Sequence, residues 1–155
     1  MTNRNAPTQP FIRMDRSASL QSAAHLMCDM SMGAIGVDNP DGEFVGLVTE
    51  RDILWAVAQG QDPCTTKLLD ILNDFPIIVP GPISTEAAAR KMHQAHVRHL
   101  IVTQDNQLRI VSMRDLLVDF LEAAGVEGSS HLASLSEMYR MFGATFRPPE
   151  KASSV

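Results

Sequence analysis

Apolar positions along the chain follow two periodicities, and each pattern occurs twice. Ala23, Leu26, Met27 and Met30 fall at i, i+3, i+4 and i+7, one face of a helix over residues 19–31. Ala88, Met92 and Ala95 repeat that stripe over residues 84–95. Short apolar runs with polar flanks read as strands at 11–14, 34–37 and 44–48, and again at 76–79, 99–102 and 108–111. Asn39-Pro-Asp-Gly42 has the chemistry of a turn between two of them. A last helix starts at Arg51 and again at Met113, and residues 66–72 read as a short linker helix.

The correspondence extends to the letters. Ser19-Leu-Gln-Ser-Ala-Ala-His-Leu-Met27 matches Ser84-Thr-Glu-Ala-Ala-Ala-Arg-Lys-Met92 at an offset of 65 residues. Leu47-Val-Thr-Glu-Arg-Asp-Ile53 matches Ile110-Val-Ser-Met-Arg-Asp-Leu116 at an offset of 63. The two lost residues fall where the turn after Asp38 becomes the shorter turn after Thr103, the usual place for a deletion. The chain is therefore a tandem duplication of a β-α-β-β-α unit. A unit this short cannot cover both faces of its sheet, so the two copies should pack on each other.

Composition narrows the function classes. The chain has 155 residues, 45% of them hydrophobic and 20% charged, which fits one compact domain or two very small ones. A net charge of −5 gives no reason to expect nucleic acid or an anionic membrane as the main partner. No apolar run approaches the ~20 residues of a membrane span. The opening segment, residues 1–9, is polar, carries no apolar signal core and should be flexible. Cys28 and Cys64 stand far apart, which suits a reducing cytoplasm better than a disulfide framework.

Candidate chemistry sits where the last strand of each unit meets its last helix. Val48-Thr49-Glu50-Arg51-Asp52 and Val111-Ser112-Met113-Arg114-Asp115 share the order apolar, Thr/Ser, x, Arg, Asp. Thr49 and Ser112 are good helix N-caps, and an Asp three residues on completes a reciprocal capping box. The same geometry suits a ligand. A helix N-terminus presents free N–H groups, a carboxylate one turn in can accept from two vicinal hydroxyls of a ribose, and Arg offers a fork for phosphate. Capping and binding are compatible, because capping fixes the side chains a ligand needs.

At these residues the chain resembles a pair of CBS domains, a Bateman module. The resemblance rests on the Thr/Ser-x-Arg-Asp turn, the Ala-Ala helix ending in Met and their duplication, and it covers about residues 10–123. It implies an α/β (α+β) fold of two repeats, residues 10–62 and 63–124 with the linker, packed through their sheets about a pseudo-twofold axis. It implies two clefts that take adenosine-containing ligands such as AMP, ADP, ATP or S-adenosylmethionine. It also implies pairing into a homodimer, regulation of a separate protein and no catalysis of its own. Carried over, it gives Asp52 and Asp115 to ribose hydroxyls, and Thr49 and Ser112 to ribose or the α-phosphate. Arg51 and Arg114 accompany them in the motif. Arg98 and His99 stand where phosphates are reached, while the first repeat has Gly33 and Ala34 there. Phe75, Ile77 and Ile12 stand where backbone contacts the base. The expectation is of unequal clefts, with the second repeat better equipped for phosphate. The proline common in the family's second strand is missing: this chain has Ile35-Gly-Val37 and Leu100-Ile-Val102, and Gly36 should weaken its strand or mark a bulge.

The remaining signals are weaker. His93, His96 and His99 have a helical spacing, yet no cysteine or carboxylate is placed to complete a metal shell. No phosphate-loop, dinucleotide or metalloprotease motif occurs. Beyond the repeats, residues 125–155 open on glycine and serine. Residues 130–142 then read as a short helix with Leu132, Leu135, Met138, Tyr139 and Phe142 on one stripe, and residues 148–155 read as disordered.

Overall fold

The computed structural model describes residues 4–123 and residue 125. The C-terminal helix and tail read from the sequence lie outside them. The order of elements is β1 (Gln9–Pro10), β2 (Arg13–Asp15), α1 (Leu20–Met30), β3 (Ala34–Asp38), β4 (Phe44–Thr49), α2 (Glu50–Ala58), β5 (Ile78–Pro80), α3 (Thr85–Ala95), β6 (His99–Gln104), β7 (Gln107–Ser112) and α4 (Met113–Ala123). The linker helix expected over 66–72 contracts to a single 3-10 turn, Leu68–Asp70, whose Leu68 is fully buried in the first repeat's core.

The two repeats fold alike because they are punctuated alike. Ser19 and Ser84 cap α1 and α3, their hydroxyls accepting from Ser22 N at 3.1 Å and Ala87 N at 3.2 Å. Both helices end on a residue in the left-handed region, Ser31 at φ 52° and His96 at φ 56°. The long turn of the first repeat is held by Asn39, whose Oδ1 accepts from Asp41 N and Glu43 N. The shorter turn of the second repeat puts Asp105 and Asn106 both at positive φ, the two-residue hairpin that asparagine and aspartate tolerate.

One sheet runs β2-β3-β4, the other β1-β7-β6-β5. Alternation along the strands divides the core into three layers. Ile35, Val37 and Val48 point at α1 and α2, with Leu20, Ala23 and Met27. Leu100, Val102 and Val111 point at α3 and α4, with Ala88, Met92 and Leu116. Between the sheets lie Ala34 and Leu47 of one repeat and Ile101 and Ile110 of the other, with Phe11, Phe44 and Leu108 around them. The repeats thus pack through their sheets, and the fold is the mixed α+β pair expected. Gly36 lies in this layer because Phe11 and Arg13 cross it: a Cβ there would stand 2.8 Å from both side chains. The β3–β4 pairing does shift register, one step further on, between Val37 and Asp38.

The opening segment departs from expectation. Residues 4–9, within the stretch expected to be flexible, are laid with Pro10 along the second repeat. Ala6 is buried in that repeat's core and donates its N–H to Ile83 O at 2.8 Å. Thr85 N donates to Arg4 O at 3.0 Å, and Asp119 takes both the Thr85 hydroxyl at 2.6 Å and Arg4 at 3.5 Å. β1 pairs antiparallel with β7, and Arg109 Nε donates to Thr8 Oγ1 at 2.7 Å. The segment covers the β7 edge, which would otherwise present unpaired backbone groups. No helix among the described residues is long and apolar enough to cross a membrane.

Candidate functional site

Both Thr/Ser-x-Arg-Asp segments form the strand-to-helix turns their sequence suggests. In the first, Asp52 Oδ2 accepts from Thr49 N at 2.8 Å and from the Thr49 hydroxyl at 2.6 Å, while Asp52 N donates to Thr49 Oγ1 at 3.4 Å. In the second, Asp115 Oδ2 accepts from Ser112 N at 3.2 Å and from the Ser112 hydroxyl at 2.6 Å, and Asp115 N donates to Ser112 Oγ at 3.3 Å. In each case the cap takes up Oδ2. Oδ1 of Asp52 and of Asp115 keeps its lone pairs without a protein partner among the described residues. A carboxylate held this way presents one oriented oxygen as an acceptor.

The first turn opens into a cavity between the repeats. Thr49, Arg51 and Asp52 form one wall, and Phe75, Ile77, Arg98 and His99 of the second repeat form the other. The Leu47–Asn73 bridge holds the walls together, with N···O distances of 2.9 Å in both directions. Gly46 beside it admits the crossing chain, since a Cβ there would fall 2.6 Å from Asn73 O. The fold keeps Arg98 and His99 beside the second turn, with His99 opposite Ser112 in the β6–β7 pairing, and also sets them across the cavity from Thr49 and Asp52. Ser112, Asp115 and Ile12 do not line this cavity, and Arg114 lies elsewhere, its Nη1 3.4 Å from Ser31 O. Asn73, Pro76, His96 and Val97 also line it and were not singled out from the sequence. Ile12 uses its carbonyl within the first sheet, accepting from Gly36 N at 2.9 Å.

Electrostatics make the cavity a place for an anion. The two guanidinium groups, Arg51 and Arg98, outnumber the single carboxylate, Asp52, within a chain of net charge −5. His99 adds no charge near neutral pH. Burial, and then the Arg98 guanidinium, push it down to about 4; Asp115 opposes the shift and Arg114 adds to it. Its ring fits between the repeats because position 33 is glycine: a Cβ there would lie 3.3 Å from the imidazole and 3.5 Å from the Glu50 carboxyl. The site therefore offers an oriented carboxylate and hydroxyl, two planar phosphate-type donors, a neutral imidazole and an apolar strand end.

Comparisons with known proteins agree with this architecture. The sequence profile of the CBS domain matches twice, at residues 4–59 and 69–122. The uncharacterised protein YlbB of Bacillus subtilis is 31% identical over 121 residues, 77% of this chain and 80% of that one. Among solved structures, a CBS domain protein from Pyrobaculum aerophilum complexed with AMP is 29% identical, with a TM-score of 0.62 over 71% of this chain and 86% of its own. A putative signal-transduction protein with CBS domains from Burkholderia ambifaria is 25% identical, with a TM-score of 0.67 over 74% of this chain and 84% of its own. The duplicated unit, its two sheets packed face to face and both profile matches make this chain a member of the CBS domain family, a tandem CBS pair.

Proposed function

We propose that this chain is a regulatory binding module, not an enzyme, that takes an adenosine-containing ligand (AMP, ADP, ATP or S-adenosylmethionine) in the cavity of the first turn. One observation carries the reading: the cavity joins a ribose-type acceptor, Asp52 with Thr49, to two guanidinium groups, Arg51 and Arg98, beside the apolar end of Phe75 and Ile77. Asp52 Oδ1 accepts from the ribose hydroxyls, the guanidinium groups take phosphate, and the 75–77 segment meets the base. The AMP complex of the similar Pyrobaculum aerophilum protein supports this assignment. The nucleotide is a signal and not a required cofactor, and occupancy is read by a separate protein in the cytoplasm.

Thermal melting with AMP, ADP, ATP and S-adenosylmethionine tests the reading. A ligand specific for the folded state adds about 2.7 kcal/mol at 100 times its dissociation constant. Asp52→Ala should abolish the response. A melting temperature that no member of the panel moves, or an Asp52→Ala variant that responds like the parent, refutes it.

A second reading has an observation of its own. Leu54 and Val57 on α2 are 70% and 46% exposed, and their counterparts Leu117 and Phe120 on α4 are 56% and 43% exposed. Apolar side chains repeated on both helices suit self-association, with the chain acting as a homodimeric scaffold. The nucleotide melting panel separates the two readings, since a scaffold is indifferent to nucleotide, and light scattering tests the dimer on its own.

A further inference from the structure

The crossing into the second repeat is one residue longer than the crossing into the first. Gln9 stands opposite Ile110, and three residues on, Ile12 O accepts from Gly36 N. Asn73 stands opposite Leu47, and four residues on, Ile77 O accepts from Ile101 N, the matching position. The two crossings use their aromatic residues differently. Phe11 turns in between the sheets, edge to face with Phe44 at 5.4 Å. Phe75 is 85% exposed, the most exposed large apolar side chain among the described residues, and it stands at the rim of the inter-repeat cavity. Its backbone is nonetheless fixed. Phe75 N donates to Asn73 Oδ1 at 3.0 Å, and Pro76 confines the residue before it to extended backbone.

A single exposed apolar side chain is ordinary on a protein surface, but this one borders a cavity too small for a whole nucleotide. The cavity holds about 180 Å³, against ~300–1,000 Å³ for sites that enclose a small-molecule ligand. With the ribose and phosphate on the polar wall of Thr49, Asp52, Arg51 and Arg98, the base is left at the rim, beside Phe75. We propose that Phe75 is the aromatic platform of this site: its ring lies face to face against the base, and it makes the cavity select nucleotides over sugar phosphates. The proposal rests on the nucleotide reading above and adds the means of selection. Ribose and phosphate contacts alone cannot tell AMP from ribose 5-phosphate, which presents the same vicinal hydroxyls and the same phosphate. A base stacked on an aromatic ring can, because only the nucleotide brings a π-face. The second turn has no such ring at its side: Pro10, before Phe11, is bound into the β1–β7 pair.

Calorimetric titration of the full chain with AMP and with ribose 5-phosphate tests this. The parent should bind AMP more tightly than ribose 5-phosphate. Phe75→Ala should weaken AMP about tenfold, within the range that alanine substitution costs a base stacked on an aromatic ring, and leave ribose 5-phosphate unchanged. Phe75→Tyr, which keeps the ring, should restore AMP binding. AMP binding unchanged in Phe75→Ala, or both ligands weakened alike, overturns the proposal. A parent that binds the two ligands equally overturns the platform and leaves the ribose and phosphate contacts standing. A parent that binds neither overturns the nucleotide reading and the platform with it. A second arm reads the ring itself. Trp55 is the chain's single tryptophan, so Trp55→Phe combined with Phe75→Trp puts one indole at the rim. AMP should quench its fluorescence and ribose 5-phosphate should not. Emission that stays unchanged at an AMP concentration shown by calorimetry to saturate the protein also overturns the proposal.

Discussion

His99 is the group whose titration should be felt across the whole module. Its ring is wedged between Gly33 and the second repeat, and burial together with Arg98 holds it down to about 4 from an ordinary 6.5. The unfolded chain takes up a proton at the ordinary value and the folded chain does not. Between pH 6.5 and about 4 the unfolded state therefore binds more protons, and stability falls as pH falls through that window. At 1.36 kcal/mol per pKa unit, moving from pH 7.5 to pH 4.5 should cost about 2–3 kcal/mol from this residue alone. The measurement is urea unfolding of the parent and of His99→Gln at both pH values. Carboxylates common to the two proteins cancel in the difference. The parent should lose about 2–3 kcal/mol more than the variant. Parallel losses in the two proteins would show that His99 is not kept neutral by its surroundings, and the account of the inter-repeat site would fail with it.

Four further outcomes follow from the same geometry. An anionic ligand in the cavity should raise His99 back toward its ordinary value, so binding at pH 5.5 should take up protons, read as a buffer-dependent heat in calorimetry. Asp115→Ala should leave the nucleotide-induced melting shift in place where Asp52→Ala removes it, because only Asp52 lines the cavity. Gly46→Ala sets a Cβ 2.1 Å from Leu72 Cδ1 and 2.6 Å from Asn73 O, so it should cost about 1–3 kcal/mol in denaturant unfolding. Thr85→Val strips a 2.6 Å hydrogen bond from Asp119 and should cost about 1–3 kcal/mol, with increased proteolysis of the opening segment as the second readout.

The elements were legible because their signals are local. Ser19, Ser84, Thr49 and Ser112 announce helix starts, and the stripes through Met27 and Met92 announce which face is buried. Gly36 was legible as an irregularity but not as the floor beneath Phe11, since that contact depends on how the chain enters the sheet. The cavity was legible only in part. Pairing within the second sheet keeps His99 beside Ser112, while packing the sheets face to face also brings Arg98 and His99 to Thr49 and Asp52, a juxtaposition no local pattern shows. Nothing in the letters of Asn73 or Val97 marks them as lining residues; Asn73 lines the cavity because the linker crosses β4 at Gly46, and Val97 because it leads into β6 beside Arg98 and His99. The opening segment was misjudged for a related reason. The polarity of residues 1–9 reads as a flexible end, and the hydrogen bonds that hold the segment come from Ile83 and from β7, some hundred residues later in the case of Arg109 and Thr8.

That opening segment also sets an order of events. β1 is made before any of the first repeat, yet its partner is the last strand of the second, with Gln9 opposite Ile110. A nascent chain emerging N-terminus first can assemble β2, β3 and β4 with their helices, but must keep β1 waiting until β7 has left the ribosome. Closing so long a loop adds little to the equilibrium cost, which grows only as the logarithm of its length, but it defers the last step of folding. The segment also threads the two repeats into a closed circuit. A protease that cuts the connection between them leaves two fragments still joined by the strand one has lent the other, so separating the repeats requires unfolding an edge, not merely breaking a linker.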